Sequence, residues 1–272
     1  MPYTDPQSRT LDEQRAEIED LAPWFHNLHL PSGLQTVPDH PFGDFPLFKW
    51  RLLAAALPDN LEGSSVLDIG CNAGFYSIEL ARRGANVLAI DVDPHYLRQA
   101  RWAARQFGVA ERIEFRQMQV YELARLDVSF DIVWFMGVLY HLRYPMLGLD
   151  IVAEKVRRLL VFQTLTIPGE EVYTDTYDHD IDERDVFLEP GWPKLAFIEH
   201  RFANDPTNWW AANHAAVEAM LRSAGLSICG RPGHELYLCE PDRNRVRTSA
   251  PWDTDEFRAA TGRLSERTAG AA

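Results

Sequence analysis

The stretch from Val66 to Gly74, with the sequence VLDIGCNAG, constrains the fold more than any other part of the chain. Its first residues predict the end of a buried β-strand, Asp68 follows at the carboxyl end, and a helical period begins at Phe75. A strand that turns through glycines into a helix lets backbone N–H groups approach a ligand without hindrance from Cβ atoms. The stretch therefore predicts a ligand-binding strand–loop–helix unit, with a plain tight turn as the alternative.

The loop differs from the dinucleotide-binding pattern G-x-G-x-x-G. Between Gly70 and Gly74 it carries Asn72, one of the few residues besides glycine that accept a left-handed backbone. A carboxylate at the strand end, here Asp68, suits an ammonium group better than a pyrophosphate. These features favour S-adenosyl-L-methionine (SAM) over NAD as the cofactor.

Alternating strand and helix patterns predict a doubly wound α/β fold. Two late apolar runs add closing strands, so we expect a Rossmann-like, mostly parallel seven-stranded sheet with helices on both faces. The expected strands are 65–69, 86–91, 112–117, 130–135, 158–164, 226–230 and 235–239.

The same patterns divide the chain into five segments. They are an N-terminal helix and arm at 1–46, a cofactor-binding core at 47–165, a cap insertion on the acceptor side at 166–212, a C-terminal helix with closing strands at 213–241, and a polar tail at 242–272 that we expect to be mobile.

Charge and cysteine content limit the classes of partner and the compartment. The net charge of −13 disfavours a general nucleic-acid-binding surface, because phosphate contacts come mainly from Lys and Arg. Cys71, Cys229 and Cys239 form no C-x-x-C pair and predict reduced thiols, hence a cytoplasmic protein. We see no signal peptide and no run near the roughly 18 apolar residues of a membrane span, so no membrane partner is expected.

Acidic residues follow the second and third predicted strands. Asp91 ends the second strand, where a carboxylate can accept hydrogen bonds from ribose hydroxyls. The alternative is a helix N-cap before Pro94, a role that Asp93 could also fill. Tyr121 and Glu122 follow the third strand, where an adenine can lie, although a surface helix start explains them equally well.

A Tyr-His pair follows the fourth strand. The apolar run ends at Met136, and Tyr140 and His141 come shortly after it, at the edge where open α/β sheets bind ligands. Tyr140 could donate a hydrogen bond to a carboxylate or polarise an acceptor oxygen, and His141 could take up a proton near neutral pH. A purely structural histidine is the alternative.

The insertion combines aromatic and acidic residues. Trp209 and Trp210 lie near its end, and Glu170–Glu189 carries nine acidic residues and one basic residue, Arg184. Such a cap could hold a neutral, polyhydroxylated or cationic acceptor and would repel a polyanion. A solvated acidic loop beside a packing cluster is the alternative. The other aromatic residues of the insertion are Tyr173, Tyr177, Phe187, Trp192, Phe197 and Phe202.

Four segments resemble the CmoB-type SAM-fold family, whose namesakes transfer a carboxymethyl group from carboxy-SAM to the wobble uridine of tRNA. They are Lys49-Trp50, VLDIGCNAGFYS at 66–77, AIDVDP at 89–94 and FDIVWFMGVLYHLRYP at 130–145. The resemblance covers about residues 47–168. It implies cofactor contacts at Lys49, Gly70, Asp91, Val92, Asp93, Tyr121, Glu122, Met136 and Tyr140.

Two departures from the family pattern bear on the donor. Residues 31–46 contain no Lys or Arg where the family has a lysine that grips the cofactor carboxylate, and the C-terminal Arg-Thr-Glu-Trp context is missing. An extra carboxylate would then be desolvated with too little compensation. Plain SAM and methyl transfer therefore fit better.

These observations predict a class I SAM-dependent methyltransferase that acts on a small-molecule acceptor, at a hydroxyl oxygen. We expect Asp68, Gly70, Asn72, Gly74 and Asp91 among the cofactor-binding residues, Tyr140 and His141 in catalysis, and Trp209 and Trp210 at the acceptor. Three rivals remain. They are tRNA wobble-uridine carboxymethyl or methyl transfer, an NAD-dependent oxidoreductase, and a non-catalytic SAM-binding partner subunit.

Overall fold

The structure is a computed structural model that describes residues 10–173, 178–242 and 251–263. Its α-helices are α1 (Leu11–Asp20), α2 (Phe45–Leu53), α3 (Phe75–Arg82), α4 (Pro94–Gln106), α5 (Pro145–Ala153), α6 (His214–Ser223) and α7 (Pro251–Thr261). Its strands are β1 (Ser65–Ile69), β2 (Asn86–Asp91), β3 (Ile113–Gln117), β4 (Phe130–Met136), β5 (Val156–Gln163), β6 (Leu195–Phe197), β7 (Trp210–Ala212), β8 (Leu226–Gly233) and β9 (Leu236–Pro241). Short 3-10 turns cover Val120–Arg125 and Leu139–His141.

Seven strands form one sheet in the order β3-β2-β1-β4-β5-β9-β8. The first five are parallel, and β9 runs antiparallel to both β5 and β8. In register, Val66 of β1 lies between Val87 of β2 and Ile132 of β4. This confirms the predicted Rossmann-like sheet and brings the carboxyl ends of β1, β2 and β4 side by side.

Helices cover both faces of the sheet, so its central strands are apolar on both sides. Trp134 and Phe135 are adjacent in β4 and point to opposite faces, yet both are fully buried. Trp134 joins the cluster that includes Tyr76 of α3, whereas Phe135 packs against Phe162 in the other cluster. This rigid centre holds the loops at the carboxyl edge.

The N-terminal arm packs against α4 of the main sheet domain. A capping box between Thr10 and Glu13 starts α1. The Trp24 ring then packs on Trp102 of α4 at 5.7 Å between ring centroids. Gln99 of α4 also donates hydrogen bonds to the backbone carbonyls of Leu21 and Pro23, at 2.7 and 2.9 Å.

The insertion leaves and rejoins the domain at one place. Thr166 forms a parallel bridge with Ala212, and the backbone N–H of Ile167 donates to the Ala212 carbonyl at 2.8 Å. Within the insertion, β6 and β7 pair as a small antiparallel sheet that the sequence analysis did not predict. Tyr177 lies outside the described residues.

The expectation of a mobile tail is wrong for part of its length. Helix α7 occupies Pro251–Thr261, and its Phe257 packs against the core cluster on the α5 side of the sheet. Arg263 then donates to the Ala124 carbonyl and pairs with Glu154 at 2.6 Å. The polar composition of this segment does not indicate the Phe257 contact or the pairing of Arg263.

Among the described residues, no helix combines the length and the apolar character that crossing a bilayer requires. Cys71 and Cys239 are buried, Cys229 is exposed, and all three are free thiols.

Candidate functional site

The glycine loop after β1 adopts the backbone that its residues predict. Asn72 has a φ of 51°, in the left-handed region, and its side-chain oxygen accepts from the N–H of Ala73 at 2.8 Å. Gly74 has a φ of 82° and precedes the first turn of α3. A Cβ atom at Gly70 would lie 2.4 Å from Cγ2 of Val138, so this glycine also permits close packing of the loop after β4.

Asp91 at the end of β2 is held in one orientation by two backbone donors. The N–H of Asn72 and the N–H of Asp93 each donate to one of its carboxylate oxygens at 2.9 Å. Burial raises the pKa of Asp91, while these hydrogen bonds act in the opposite direction. The N-cap of α4 is Asp93, which accepts from the N–H of His95 at 2.7 Å. Asp91 is therefore not needed as the cap.

The expectation that Asp68 meets an ammonium group is not supported by its position. Asp68 is 1% exposed and accepts a hydrogen bond from the hydroxyl of Ser77 in α3. Burial raises its pKa to about 7. The carboxylate faces the interior behind the loop, because β1 and α3 close over it.

Tyr140 and Gly137 face each other beyond the end of β4. A Cβ atom at Gly137 would lie 3.7 Å from both the Tyr140 hydroxyl oxygen and Oε1 of Gln163. Gly137 has a φ of 72°, a conformation that favours glycine. Burial, then Glu235 and Asp205, raise the pKa of Tyr140 to about 12, so its hydroxyl is a hydrogen-bond donor at neutral pH.

Glu235, from the turn between β8 and β9, reaches the carboxyl end of β5. One of its oxygens accepts from the backbone N–H and the hydroxyl of Thr166, both at 2.9 Å. The other accepts from Nε2 of Gln163 at 3.1 Å. Burial lowers the pKa of Lys49, and the Glu235 carboxylate nearby raises it by less.

His141 is held by the cap insertion. Its Nδ1 lies 2.9 Å from the hydroxyl oxygen of Thr207 and 3.2 Å from the Thr207 carbonyl oxygen. The Thr207 hydroxyl in turn donates to a carboxylate oxygen of Asp205 at 2.6 Å. Because that hydroxyl hydrogen is used, the oxygen can only accept from His141, so Nδ1 carries the hydrogen and Nε2 is the basic nitrogen.

Burial lowers the pKa of His141, and the Asp205 carboxylate and the hydrogen bond to Thr207 counteract this in part. The imidazole is therefore neutral at pH 7. A neutral imidazole that carries its hydrogen on Nδ1 can accept a proton at Nε2.

The two tryptophans of the cap are half-buried beside this pair. The backbone N–H of Trp209 donates to the Tyr140 carbonyl at 2.9 Å, and its indole stacks under the guanidinium of Arg143 at 4.7 Å. Trp210 donates from Nε1 to the Leu142 carbonyl at 3.1 Å. Both residues therefore attach the cap to the loop after β4.

The remaining predicted cofactor contacts lie along the same edge, with mixed accessibility. Met136 is buried, Val92 is 49% exposed, and the Tyr121 hydroxyl accepts from the backbone N–H of Tyr144 at 3.1 Å. Glu122 accepts from the backbone N–H of Gln119 at 2.8 Å in a capping box, which matches the alternative of a helix start.

The aromatic residues in the first half of the insertion form a cluster of their own. The Trp192 ring packs against Tyr173, His179 and Phe187 at 5.3 to 5.8 Å between centroids. This agrees with the alternative of a packing cluster beside a solvated acidic loop.

Tyr140, His141 and Lys49 border what we call the mouth of the candidate site. Three groups that interact with Tyr140 or Lys49 were not identified from the sequence. Asp205 and Glu235 come from turns whose approach to Tyr140 depends on the folded chain. His26 of the arm is 6% exposed and packs against Tyr76 at 6.0 Å. Its burial, followed by Lys49 and His40, lowers its pKa to about 3. For His26, the sequence signal is its position in the segment Trp-Phe-His-Asn at 24–27.

Residues 66–161 match a family model described as a methyltransferase domain. The chain is 27% identical over 231 residues to a tRNA U34 carboxymethyltransferase of Pseudomonas fluorescens, covering 82% of this chain and 63% of the relative. It is 35% identical over 127 residues to the protein of the same name from Shewanella halifaxensis, covering 46% and 38%. The chain thus spans less than two thirds of the length of these relatives.

Solved structures show the same fold. The N-terminal domain of EvdMO1, crystallised with SAH and D-fucose, aligns with a TM-score of 0.59 at 21% identity, covering 86% of this chain and 97% of that one. An O-methyltransferase family protein from Burkholderia thailandensis aligns with a TM-score of 0.50 at 16% identity, covering 85% and 68%.

Proposed function

We propose that this chain, which carries a SAM-dependent methyltransferase domain, transfers the methyl group of SAM to a hydroxyl oxygen of a small-molecule acceptor. The single observation that carries the acceptor chemistry is the hydrogen-bonded series Asp205–Thr207–His141. It fixes a neutral imidazole with a basic Nε2 beside Tyr140. A hydroxyl acceptor needs such a base, because its proton must leave as its oxygen is methylated.

The residues at the sheet edge fit SAM. Asp91 presents a carboxylate fixed by two backbone donors, which suits the paired hydroxyls of a ribose. Gly137 has no side chain next to the Tyr140 hydroxyl, so a bound group can approach both the Gly137 backbone and that hydroxyl. Gly70, Asn72, Val92, Met136 and Lys49 remain proposed contacts around this frame.

When bound, SAM supplies the methyl group and keeps the electron pair of the broken carbon–sulfur bond. His141 takes up the acceptor's hydroxyl proton at Nε2. Asp205 and Thr207 keep the hydrogen on Nδ1 and stabilise the imidazolium that forms. Tyr140 donates a hydrogen bond in the mouth, and the cap excludes water from it.

Glu235 supports plain SAM as the donor. Its carboxylate lies close enough to raise the pKa of Tyr140, and it already balances the charge of Lys49. An additional carboxylate on the donor would meet this negative charge in a half-buried site, where repulsion is weakly screened. Two features therefore disfavour carboxy-SAM as the donor. One is the Glu235 carboxylate, and the other is the absence of Lys and Arg from residues 31–46.

The charge distribution supports a small acceptor rather than tRNA. Asp205 and Glu235 flank Tyr140, and the chain has a net charge of −13. Phosphate-rich partners are bound mainly through Lys and Arg, and these two carboxylates would repel them. The similarity to tRNA U34 carboxymethyltransferases makes tRNA the competing acceptor. We propose that Trp209 and Trp210 border the small acceptor, while their hydrogen bonds to the loop after β4 hold the cap in place.

The test incubates the purified protein with methyl-labelled SAM and either bulk tRNA or a small-metabolite extract. We expect label in a small molecule, loss of that label in His141→Ala, and retained binding of S-adenosylhomocysteine by the variant. Trp209→Ala should reduce labelling and spare cofactor binding.

Label on a tRNA wobble uridine would overturn the small-acceptor proposal. Binding of SAM without turnover in either mixture would favour a non-catalytic SAM-binding subunit. Failure to bind SAM while NAD binds would overturn the cofactor assignment as well.

A further inference from the structure

Three side chains that can ligate a metal ion meet at the base of the insertion. Glu170 lies near the beginning of the insertion, His214 is the first residue of α6, and His234 lies in the turn between β8 and β9. One ligand atom from each side chain lies within 4.8 Å of the other two. The proposed transfer reaction uses none of these residues.

His214 is fully buried and has one free ring nitrogen. Its Nδ1 contacts the Tyr237 hydroxyl and lies 2.9 Å from a guanidinium nitrogen of Arg231. Its Nε2 has no hydrogen-bond partner among the described residues. A buried polar atom without a partner is costly. Because a guanidinium can only donate, the contact with Arg231 places the ring hydrogen on Nε2, so an ion binds there only once that hydrogen has moved to Nδ1.

The other two side chains lie beside the His214 ring. The ring of His234 packs against that of His214 at 4.9 Å between centroids and 80° between planes. Glu170 and His234 are both exposed, so their side chains can adjust while His214 stays fixed. Bonds of about 2.0–2.2 Å to an ion would draw the three ligand atoms closer together.

We propose that Glu170, His214 and His234 bind a divalent transition-metal ion of the zinc class. Two imidazoles and one carboxylate form a donor set that zinc prefers, and three protein ligands leave a coordination position for water.

Tyr237 supplies an outer partner for this site. With Nε2 on the ion, Nδ1 of His214 carries the hydrogen and donates it to the Tyr237 hydroxyl oxygen. Arg231 opposes a cation and must turn away from Nδ1. Glu218 offsets its charge, with carboxylate and guanidinium atoms 3.6 Å apart.

The bound ion joins three separate parts of the chain. It links the start of the insertion, the start of α6 and the β8–β9 turn, so it stiffens the base of the cap. Binding to the folded state alone should also raise the melting temperature.

Cobalt(II) is a suitable probe, because its visible absorption reports coordination and zinc competes for the same ligands. Untagged full-length protein, stripped with a chelator, is titrated with Co²⁺ and then with Zn²⁺. The variants are His234→Ala and Glu170→Gln, which change exposed side chains and so spare folding. His200→Ala, an exposed histidine elsewhere in the insertion, is the matched control.

We expect one equivalent of Co²⁺ in the unmodified protein and in His200→Ala, displaced by Zn²⁺. Binding should weaken at least tenfold in His234→Ala and in Glu170→Gln. Zn²⁺ should raise the melting temperature of the unmodified protein but not that of these two variants. The proposal is overturned if the unmodified protein gives no Co²⁺ signal, or if both variants bind as it does.

Discussion

The Nδ1 atom of His141 lies 2.9 Å from the hydroxyl oxygen of Thr207, which joins the loop after β4 to the cap insertion. The two residues are 66 positions apart in the chain. The same threonine donates to Asp205, so the contact fixes both the position and the tautomer of the imidazole. Several measurements can test what this arrangement does.

Removing the base should lower turnover far more than cofactor affinity. We expect His141→Ala to reduce kcat by roughly 100-fold or more, the lower range for a general base. Binding of S-adenosylhomocysteine, measured by calorimetry, should stay within about twofold. An unchanged kcat in the folded variant would assign His141 a purely structural role.

The pH profile should reveal Asp205 as a positioning residue. A base acts in its neutral form, so turnover should fall as the pH drops through the pKa of His141, which burial places below the ordinary value of 6.5. Asp205 raises that pKa, so Asp205→Asn should move the acid limb to lower pH and also lower kcat. The profile of Asp178→Asn, an exposed acid of the insertion, should match the unmodified protein. An acid limb that stays in place would contradict this role.

Asp91 should account for much of the cofactor affinity. Asp91→Ala should weaken SAM binding by about 1.5–3 kcal/mol, the range for hydrogen bonds to a charged group. Asp59→Ala, a matched change at an exposed acid, should have no effect. Equal affinities of Asp91→Ala and the unmodified protein, with unchanged circular dichroism, would remove Asp91 from the ribose.

Donor choice should depend on Glu235. The unmodified protein should bind SAM at least as tightly as carboxy-SAM, and Glu235→Gln should shift the ratio toward carboxy-SAM, because a repulsive charge is removed. Competition calorimetry with both ligands measures the ratio. A tenfold preference of the unmodified protein for carboxy-SAM, about 1.4 kcal/mol, would favour carboxymethyl transfer instead.

Gly70 should tolerate no side chain, for two separable reasons. Its φ of 70° costs a residue with a Cβ atom about 1–2 kcal/mol, and the new Cβ would meet Val138 at 2.4 Å. Gly70→Ala should therefore lower the free energy of unfolding by more than the backbone cost alone. Adding Val138→Ala should remove the steric clash. The double variant should therefore lose less free energy of unfolding than the sum of the losses in the two single variants, as measured by denaturation. Additive effects would contradict the close contact.

The elements from β1 to α5 are predictable because local sequence signals mark most of their ends. Strand β2, for example, ends at Asp91, and Asp93 and Pro94 then start α4 as N-cap and first helical residue. Helix α7 also begins at a proline, Pro251, but its apolar pattern is weak, because its described core contact, Phe257, sits among polar residues. The small β6–β7 sheet is missed because strands of three residues are too short to show an alternating pattern.

The candidate site residues also divide into those that a local rule predicts and those that depend on distant contacts. Asp91 and Tyr140 follow from the rule that ligands bind at the carboxyl ends of parallel strands. Asp68 obeys the same rule and still faces inward, because Ser77 of α3 takes its carboxylate. Glu235 reaches Gln163 across 72 positions, and no local pattern predicts a contact at that separation.

The paired ends of the insertion have a consequence for how such a protein diversifies. Since Thr166 and Ala212 are already adjacent, the chain between them is a closed loop whose closure does not depend on its contents. Doubling the length of a flexible loop adds only about 0.6 kcal/mol of closure entropy. Changes of length between these ends therefore cost the fold little, whereas Asp205 and Thr207 must keep their contacts to position His141. Because these ends stay paired, a change of length leaves the register of the seven-stranded sheet as it is.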